Sequence, residues 1–534
     1  MSLSIRERSQ KVAASIKENE AQTLRGIAAT TNISKSSVHR HRRAIARRNQ
    51  HPESIFWETT AGNQWLARLV FGLVYYFGIK QGVGAESLSE FIQAVHLDTH
   101  VAGSASALRQ LKQRVNQAIE DYQSAQAEHC VPTKEQGICV GADETFFGLP
   151  VLVLLELSSG YIFVETECEN RTYATWMEQV NKWWQDGPWQ CHYLVSDGAK
   201  ALVKLALSGL GCVSVADLFH ALRALGKPIG RALGQRMAAL KKQQDKRQKQ
   251  LRKHHEGAEE SAFQSLTENN ETALQQVQQD EQIYHEALEK ISQTIHPFTL
   301  DSLQWQTQKR LLTNLAAPLQ CLWNLAPTYG AQKAQQAIDT FEEQINSFAQ
   351  GMEAWQKWVT IALDKQTQDR ALRNWVLSSL LPWVYWQQQA DKTRHPSLKR
   401  RYQDAASEAF ETLFEHDITL QLTDQQRARW VLWSQEFCAK YQRTSSAVEG
   451  RNGYLSKLHH ARRGFSEQSL GVLTIIHNFD LKRQDGTTAA QRLFDYNFPD
   501  LFEWMLDHLG ELPRPRRSAK PQQMKPSYAD LVPA

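Results

Sequence analysis

The sequence is short of several things, and each shortage removes a class of protein. Among 534 residues there are seven cysteines, scattered with no paired spacing, which excludes a disulfide framework and a Cys/His zinc module. No long hydrophobic run is present: the most apolar window, Leu66 to Ile79, is interrupted by Arg68. At about 14 residues it is too short to span a bilayer, and it reads as a buried helix. The start, Met1-Ser-Leu-Ser-Ile-Arg-Glu-Arg, is polar and carries no signal-like run, so the expectation is a protein without membrane partners, kept in the cytoplasm (on the nucleoid, in a bacterium). Acid is scarce where base is abundant: the first 50 residues hold eleven Lys/Arg against three Glu, although the whole chain carries only +4. A basic N-terminal module on a mildly acidic body points to a polyanionic partner at that end.

What is present reads as several domains, since the chain is too long for one core. Residues 1–50 form three helical stretches. The first spans about Ile5 to Asn19 and the second Leu24 to Ala29; after the turn Thr30-Thr-Asn-Ile33, Ser34 caps a third that reaches about Arg48. Ile33, Val38 and Ile45 face inward, and Lys35, Ser36, Ser37, His39, Arg40, Arg42, Arg43, Arg47 and Arg48 form the other face. Helix, tight turn and helix is a helix-turn-helix pattern, with these residues as DNA contacts, chiefly to phosphate. A hairpin with a solvated cationic face is the plainer alternative.

Residues 51–134 read as a second helical domain, with a helix over Ser87–Val95, a turn through Gly103 and a longer helix from Ser104 to about Ala125. A second helix-turn-helix and a supporting bundle fit it equally well. From 135 to 233 the texture changes to strands: Ile138–Ala142, the near-continuous apolar run Leu149–Leu157, and Tyr161–Glu167. A helix over Arg171–Trp184 follows, then a strand Cys191–Ser196, a helix from Ala199, a short strand Cys212–Val215 and a helix beginning at Asp217-Leu-Phe-His220. Residues 234–441 are an all-α insertion, opened by a polar helical hairpin near Lys241–Ile291 and then rich in tryptophan, whose ordinary role is core packing. Residues 442–510 are a last helical part of the core, and 511–534 a basic tail expected to be disordered.

Three acids stand out. Asp143 ends the first strand, Asp197 ends the fourth in Asp197-Gly198, and Glu449 lies in Ser445-Ser-Ala-Val-Glu449-Gly-Arg-Asn452. Each has a plain explanation: Asp143 as a strand-end acid beside Glu144, Asp197 as a turn residue, and Glu449 as the last member of a capping box. Together they suit phosphodiester chemistry, in which carboxylates hold two hard divalent ions roughly 3.5–4 Å apart.

The order of elements and motifs resembles the DDE transposases, the group that includes hAT, MULE and bacterial insertion-sequence transposases. The shared text is Asp143, Asp197, Asp217-Leu-Phe-His220, a helical insertion and Glu449, with the bacterial-looking segments Thr444-Ser-Ser-Ala-Val-Glu-Gly-Arg-Asn-Gly and Ile475-Ile-His-Asn-Phe-Asp-Leu-Lys-Arg. The resemblance implies an α/β chain: an RNase H-like mixed five-stranded sheet interrupted by a large all-α insertion, with N-terminal helix-turn-helix domains. It implies strand cleavage and transfer at transposon ends, with two Mg²⁺ (or Mn²⁺) ions on Asp143, Asp197 and Glu449, and His220 near the scissile phosphate. The implied partners are double-stranded DNA, both terminal inverted repeats and target, and a second copy of the chain on paired ends, for which the Lys241–Ile291 hairpin is a candidate contact. Arg451, Asn452, His459, His460, Arg462 and Arg463 are further candidates to follow a DNA backbone, or else a solvated basic helix face. A nuclease or recombinase unconnected with transposition, and a DNA-binding regulator without chemistry, are the competing functions.

Overall fold

Five consecutive branched apolar residues, Val151-Leu-Val-Leu-Leu155, form a strand that must be covered on both faces. The three-dimensional structure, a computed structural model describing residues 3–19, 21–49, 52–185, 187–251, 258–462 and 464–515, buries every residue of that strand. The chain divides into two compact units, residues 1–130 with 454–534, and residues 131–453.

The second unit holds the one named sheet among the described residues. Its strands are β1 (Gln136–Phe146), β2 (Pro150–Glu156), β3 (Ile162–Glu167), β4 (Trp189–Ser196) and β5 (Val213–Ala216), in the order β3-β2-β1-β4-β5. β1–β2 and β2–β3 are antiparallel, whereas β1–β4 and β4–β5 are parallel. The β2–β3 turn is fixed chemically: the buried Glu156 carboxylate accepts the amides of Ser158 (3.1 Å) and Ser159 (2.6 Å), and Gly160 takes φ +80°. The helix Tyr173–Trp184, capped by Thr172, connects β3 to β4.

The sequence pattern places the strands correctly but ends the first one too soon. β1 continues through Asp143-Glu-Thr to Phe146 because β2 pairs with it as far as Pro150. Asp143 is therefore inside a strand and not at its end.

The described elements between Gly234 and Tyr441 are helices, apart from the isolated bridge Phe298–Trp305, but no element begins at Gly234. One helix, Leu218–Leu251, runs unbroken from the end of β5 through that position, with Pro228 inside it. It pairs with Ala258–Thr294 as a hairpin: Tyr284 donates to the Gly226 carbonyl at 2.9 Å, and a Cβ at Gly226 or Gly230 would stand 2.7 Å from the same hydroxyl. Glycine is needed there for the close approach. Of the insertion's tryptophans, Trp355, Trp375 and Trp386 are fully buried, which is the core-packing role.

In the first unit, α1 (Ile5–Glu18), α2 (Leu24–Thr31) and α3 (Lys35–Arg48) pack around Val12, Ile27, Ile33, Val38 and Ile45. Ser4 and Glu7 form a capping box on α1, and Asn32, in the left-handed region at φ 54°, makes the α2–α3 turn. The next helices include Thr60–Gly72, Ala85–Ala94 and Ala105–Gln126, the last capped by Ser104. The long helix buries Leu108, Leu111, Val115 and Ile119, and Tyr122 sets its ring 5.5 Å from Phe479 and donates to the Pro499 carbonyl at 2.6 Å. That packing groups most of 454–510 with the N-terminal helices and not with the sheet. Among the described residues no helix is long and apolar enough to cross a membrane. Of the tail, residues 516–534 lie outside the described residues, as does Arg463.

Candidate functional site

The site begins with strand register. β1 and β4 pair in parallel with Gly141 opposite Val195. Continuing that register by two residues sets Asp143 beside Asp197, on the same face. Asp197 carries out its turn role as well, its Oδ1 accepting the Ala199 amide at 2.9 Å while Gly198 takes φ +86°. Glu144 points the other way, into the helix Tyr173–Trp184, where Trp176 Nε1 donates to it at 3.4 Å and Arg171 stands at 3.5 Å.

The second contribution comes from the start of the long insertion helix. Asp217 is buried there, its Oδ1 accepting the backbone amide of His220 at 3.0 Å, which is how a helix-capping aspartate satisfies a free N–H. Its other oxygen accepts the backbone amide of Ser445 at 2.6 Å and the Ser445 hydroxyl. Leu218 N–H donates to the Arg443 carbonyl at 3.0 Å, so the segment entering the insertion and the segment leaving it run side by side. Arg443 in turn donates to the carbonyls of Ile295 (2.7 Å) and Ser292 (3.1 Å) at the end of the helix Ala258–Thr294, where a cation meets the negative end of the helix dipole.

The third contribution is the helix Ser446–Arg462, whose first residue is Ser446. The Glu449 side chain is directed not to a capping box, its plainer explanation, but to His220: its Oε1 lies 2.9 Å from His220 Nε2, with 29% and 36% of the two side chains exposed. One turn on, Asn452 Nδ2 donates to Asp143 Oδ2 at 3.0 Å. Arg451 forms a two-pronged ion pair with Glu165 of β3 (2.7 and 2.6 Å), both side chains almost wholly buried. Asp143, Val153 and Glu165 pair across β1, β2 and β3 in one row, so Arg451 and Asn452 tie the helix to two points of that row. Gly141 admits it: a Cβ there would stand 3.1 Å from Val448 Cγ2 and 2.7 Å from Leu157 Cδ2.

The structure thus gathers Asp143, Asp197, His220 and Glu449, and electrostatics registers it. Burial pushes the Asp143 carboxyl above its usual range. The Glu144 amide and His220 oppose that rise, and the charges of Asp197 and Glu449 add to it. Crowded carboxylates of this kind suit a hard cation chemically, and the buried Asn452 Oδ1 has no hydrogen-bond partner among the described residues. The side chains as they stand do not complete a ligand set: among the described residues no group of three His, Cys, Asp or Glu side chains is arranged to hold one metal ion. Glu449 is turned to His220, and Asp143 shares an oxygen with Asn452.

Two expected DNA contacts are placed elsewhere. Arg451 is buried against Glu165 and cannot reach a backbone; Asn452 serves Asp143 instead. Ser37 is buried on the inner side of α3, whereas Lys35, Ser36, His39, Arg40, Arg42, Arg43 and Arg47 are exposed. Asp217 was visible only as part of Asp217-Leu-Phe-His220, and nothing in the sequence pairs it with Ser445.

Residues 376–521 match a family of unknown function (DUF6399), a span that takes in Glu449, Arg451 and Asn452 but not Asp143, Asp197 or His220. No curated protein matches the chain.

Proposed function

We propose that the protein is a DNA transposase that cleaves and joins strands at the ends of a mobile element. The observation that carries the reading is the convergence of Asp143, Asp197 and Glu449, with His220, from two neighbouring strands and from helices on either side of a large insertion. The sheet order β3-β2-β1-β4-β5, with three antiparallel strands followed by two parallel ones, is the order an RNase H-like core requires. The exposed cations of α3 supply a duplex-binding face.

Asp143, Asp197 and Glu449 would hold the divalent ions, Mg²⁺ by their oxygen chemistry. Ions there would lower the pKa of a bound water and stabilise a leaving 3′ oxygen. His220, oriented through Asp217, would contact the scissile phosphate once Glu449 turns from it. Asn452 would hold the Asp143 carboxylate in place. The competing reading, a DNA-binding regulator without chemistry, draws on the same pairs: Asp143–Asn452 and Glu449–His220 occupy each other as they stand.

The deciding experiment incubates the full chain with linear DNA carrying the sequences that flank its gene, with and without Mg²⁺. Nicks at discrete positions that need Mg²⁺ and vanish in Asp143→Asn support the transposase. Specific binding with no cleavage under any divalent ion leaves the regulator.

A further inference from the structure

Apart from its outer surface, the N-terminal module forms one wall of a cleft of about 690 Å³. The other walls are the turn Pro52–Glu58, the segment Asp98–His100 and the chain at Leu512–Pro515, all within the first unit. The walls are tied together: Arg48 pairs with Glu58 at 2.7 Å, Arg6 donates to Asn63 at 2.8 Å, and Ala102 N–H donates to the Pro513 carbonyl at 2.8 Å.

The lining is cationic beyond what its acids can balance. Arg6, Arg8, Arg40, Arg47, Arg48 and Arg514 face it, against Glu58 and Asp98. Glu58 is taken by Arg48, and Arg514 reaches Glu511 at 3.5 Å. Arg8, Arg40 and Arg47 have no carboxylate within ion-pair distance among the described residues. His41, which also lines the cleft, is pushed below its ordinary pKa by burial and then by Arg8, Arg48, Arg514 and Arg40. Unpaired like charges held together cost stability, and a bound anion would relieve it.

Most of the α3 residues in this lining lie away from the face that a duplex would meet. At about 100° per residue, His41, Ala44 and Arg48 lie roughly opposite Lys35, His39 and Arg42, with the core residues Val38 and Ile45 between. Arg40 and Arg47, counted above among the exposed cations of α3, stand at the border between the two sides. Arginine's planar fork matches phosphate oxygens, and the volume is that of an ordinary small-molecule pocket.

We infer that this cleft is a phosphate site beside the duplex-binding face, bordering it at Arg40 and Arg47, which takes a ligand of nucleotide size: a free nucleotide, or one nucleotide of a single strand. Nothing in it depends on the acids of the sheet.

The test is calorimetry on the full chain at low salt with three probes, inorganic pyrophosphate, ATP without metal, and a ten-nucleotide oligo(dT). Tight 1:1 binding of pyrophosphate and ATP identifies a free nucleotide as the ligand, and binding of the oligonucleotide alone identifies a strand. In either case the double variant R8Q/R47Q should lose about tenfold or more. R8K/R47K, which keeps the charge without the planar fork, should lose less than R8Q/R47Q but more than nothing, and R42Q should leave the affinity unchanged. Equal affinity in wild type and R8Q/R47Q, equal loss in R42Q, or no binding of any probe overturns the site. If R8Q/R47Q does not fold, the wild-type chain is treated with an arginine-specific reagent in the presence and absence of the bound probe. Protection of Arg47 by the probe then supports the site, and absence of protection overturns it.

Discussion

Asp217 accepts both the backbone amide and the hydroxyl of Ser445, a residue 228 positions further along the chain. With its other oxygen it caps His220. One buried carboxylate therefore sets where the His220 helix starts and where the Glu449 helix starts.

Replacing it should uncouple the two. In Asp217→Asn the amide nitrogen cannot accept from Ser445, so the buried backbone amide loses its partner at about 1–3 kcal/mol, while the hydroxyl can turn to accept from the new NH2. Denaturant unfolding should show that loss, and cleavage should fall while DNA affinity is kept. Cleavage at the wild-type rate would show that the carboxylate has no positioning role.

The acids themselves should behave as one set. Asp143→Asn, Asp197→Asn and Glu449→Gln are each expected to lower Mg²⁺-dependent cleavage by roughly a hundredfold or more, with binding to flanking DNA unchanged in a gel-shift assay. Glu449 should be tested first, because it stands turned toward His220. Normal cleavage in any one variant removes that residue from the site.

Gly141→Ala probes the same geometry from the strand. Its Cβ would stand 3.1 Å from Val448 and 2.7 Å from Leu157, and the leucine tip can turn aside more readily than the helix can move. The expected outcome is a loss of about 1–3 kcal/mol and slower cleavage. Unchanged stability and rate would mean that the helix gives way freely.

Arg451 and the exposed α3 cations should separate cleanly. Arg451→Ala removes both prongs of the buried pair with Glu165 and should cost about 3–5 kcal/mol, much of it recovered by Arg451→Met with Glu165→Leu. Its effect on the salt dependence of DNA binding should be nil. Lys35→Ala or Arg42→Ala should do the reverse, flattening the salt slope by about one each with little change in melting temperature.

Acid stability should carry a histidine signature. His192 stacks on Trp358 with ring centroids 4.0 Å apart, and burial, then Lys440, push its pKa down to about 4; buried His296 is shifted the same way. The unfolded chain takes up these protons below about pH 6.5 and the folded chain does not, so stability is complete above that pH and falls toward pH 4. His192 alone can account for up to about 3 kcal/mol. His192→Phe, which keeps the stacking, should flatten the acid limb of a stability-against-pH curve; an unaltered limb would assign it to other groups.

The sequence made some of this legible for definite reasons. Branched apolar runs and helical spacing gave the sheet and α1 to α3, because burial follows periodicity directly. Asp143 and Asp197 could be matched only by assuming that their strands pair as in the fold the sequence resembles, because spacing alone gives no register; β1 and β4 do pair in parallel. The rest depends on partners that chain order conceals. Arg451 reads as a surface cation until Glu165, 286 residues earlier, is beside it. Ser37 looks like one more polar residue of a cationic helix. Gly234 looks like a boundary, yet a single glycine costs a helix only about 1 kcal/mol and the helix runs through it.

The helix that begins at Leu218 is 34 residues long, about 50 Å at 1.5 Å per residue. His220 is in its first turn, and Pro228 interrupts the hydrogen-bond ladder two turns further on. The helix nevertheless continues through the proline, with Tyr284 packed against Gly226 and Gly230 on either side of it. The imidazole beside Glu449 and the polar hairpin of the insertion are therefore carried by one continuous element.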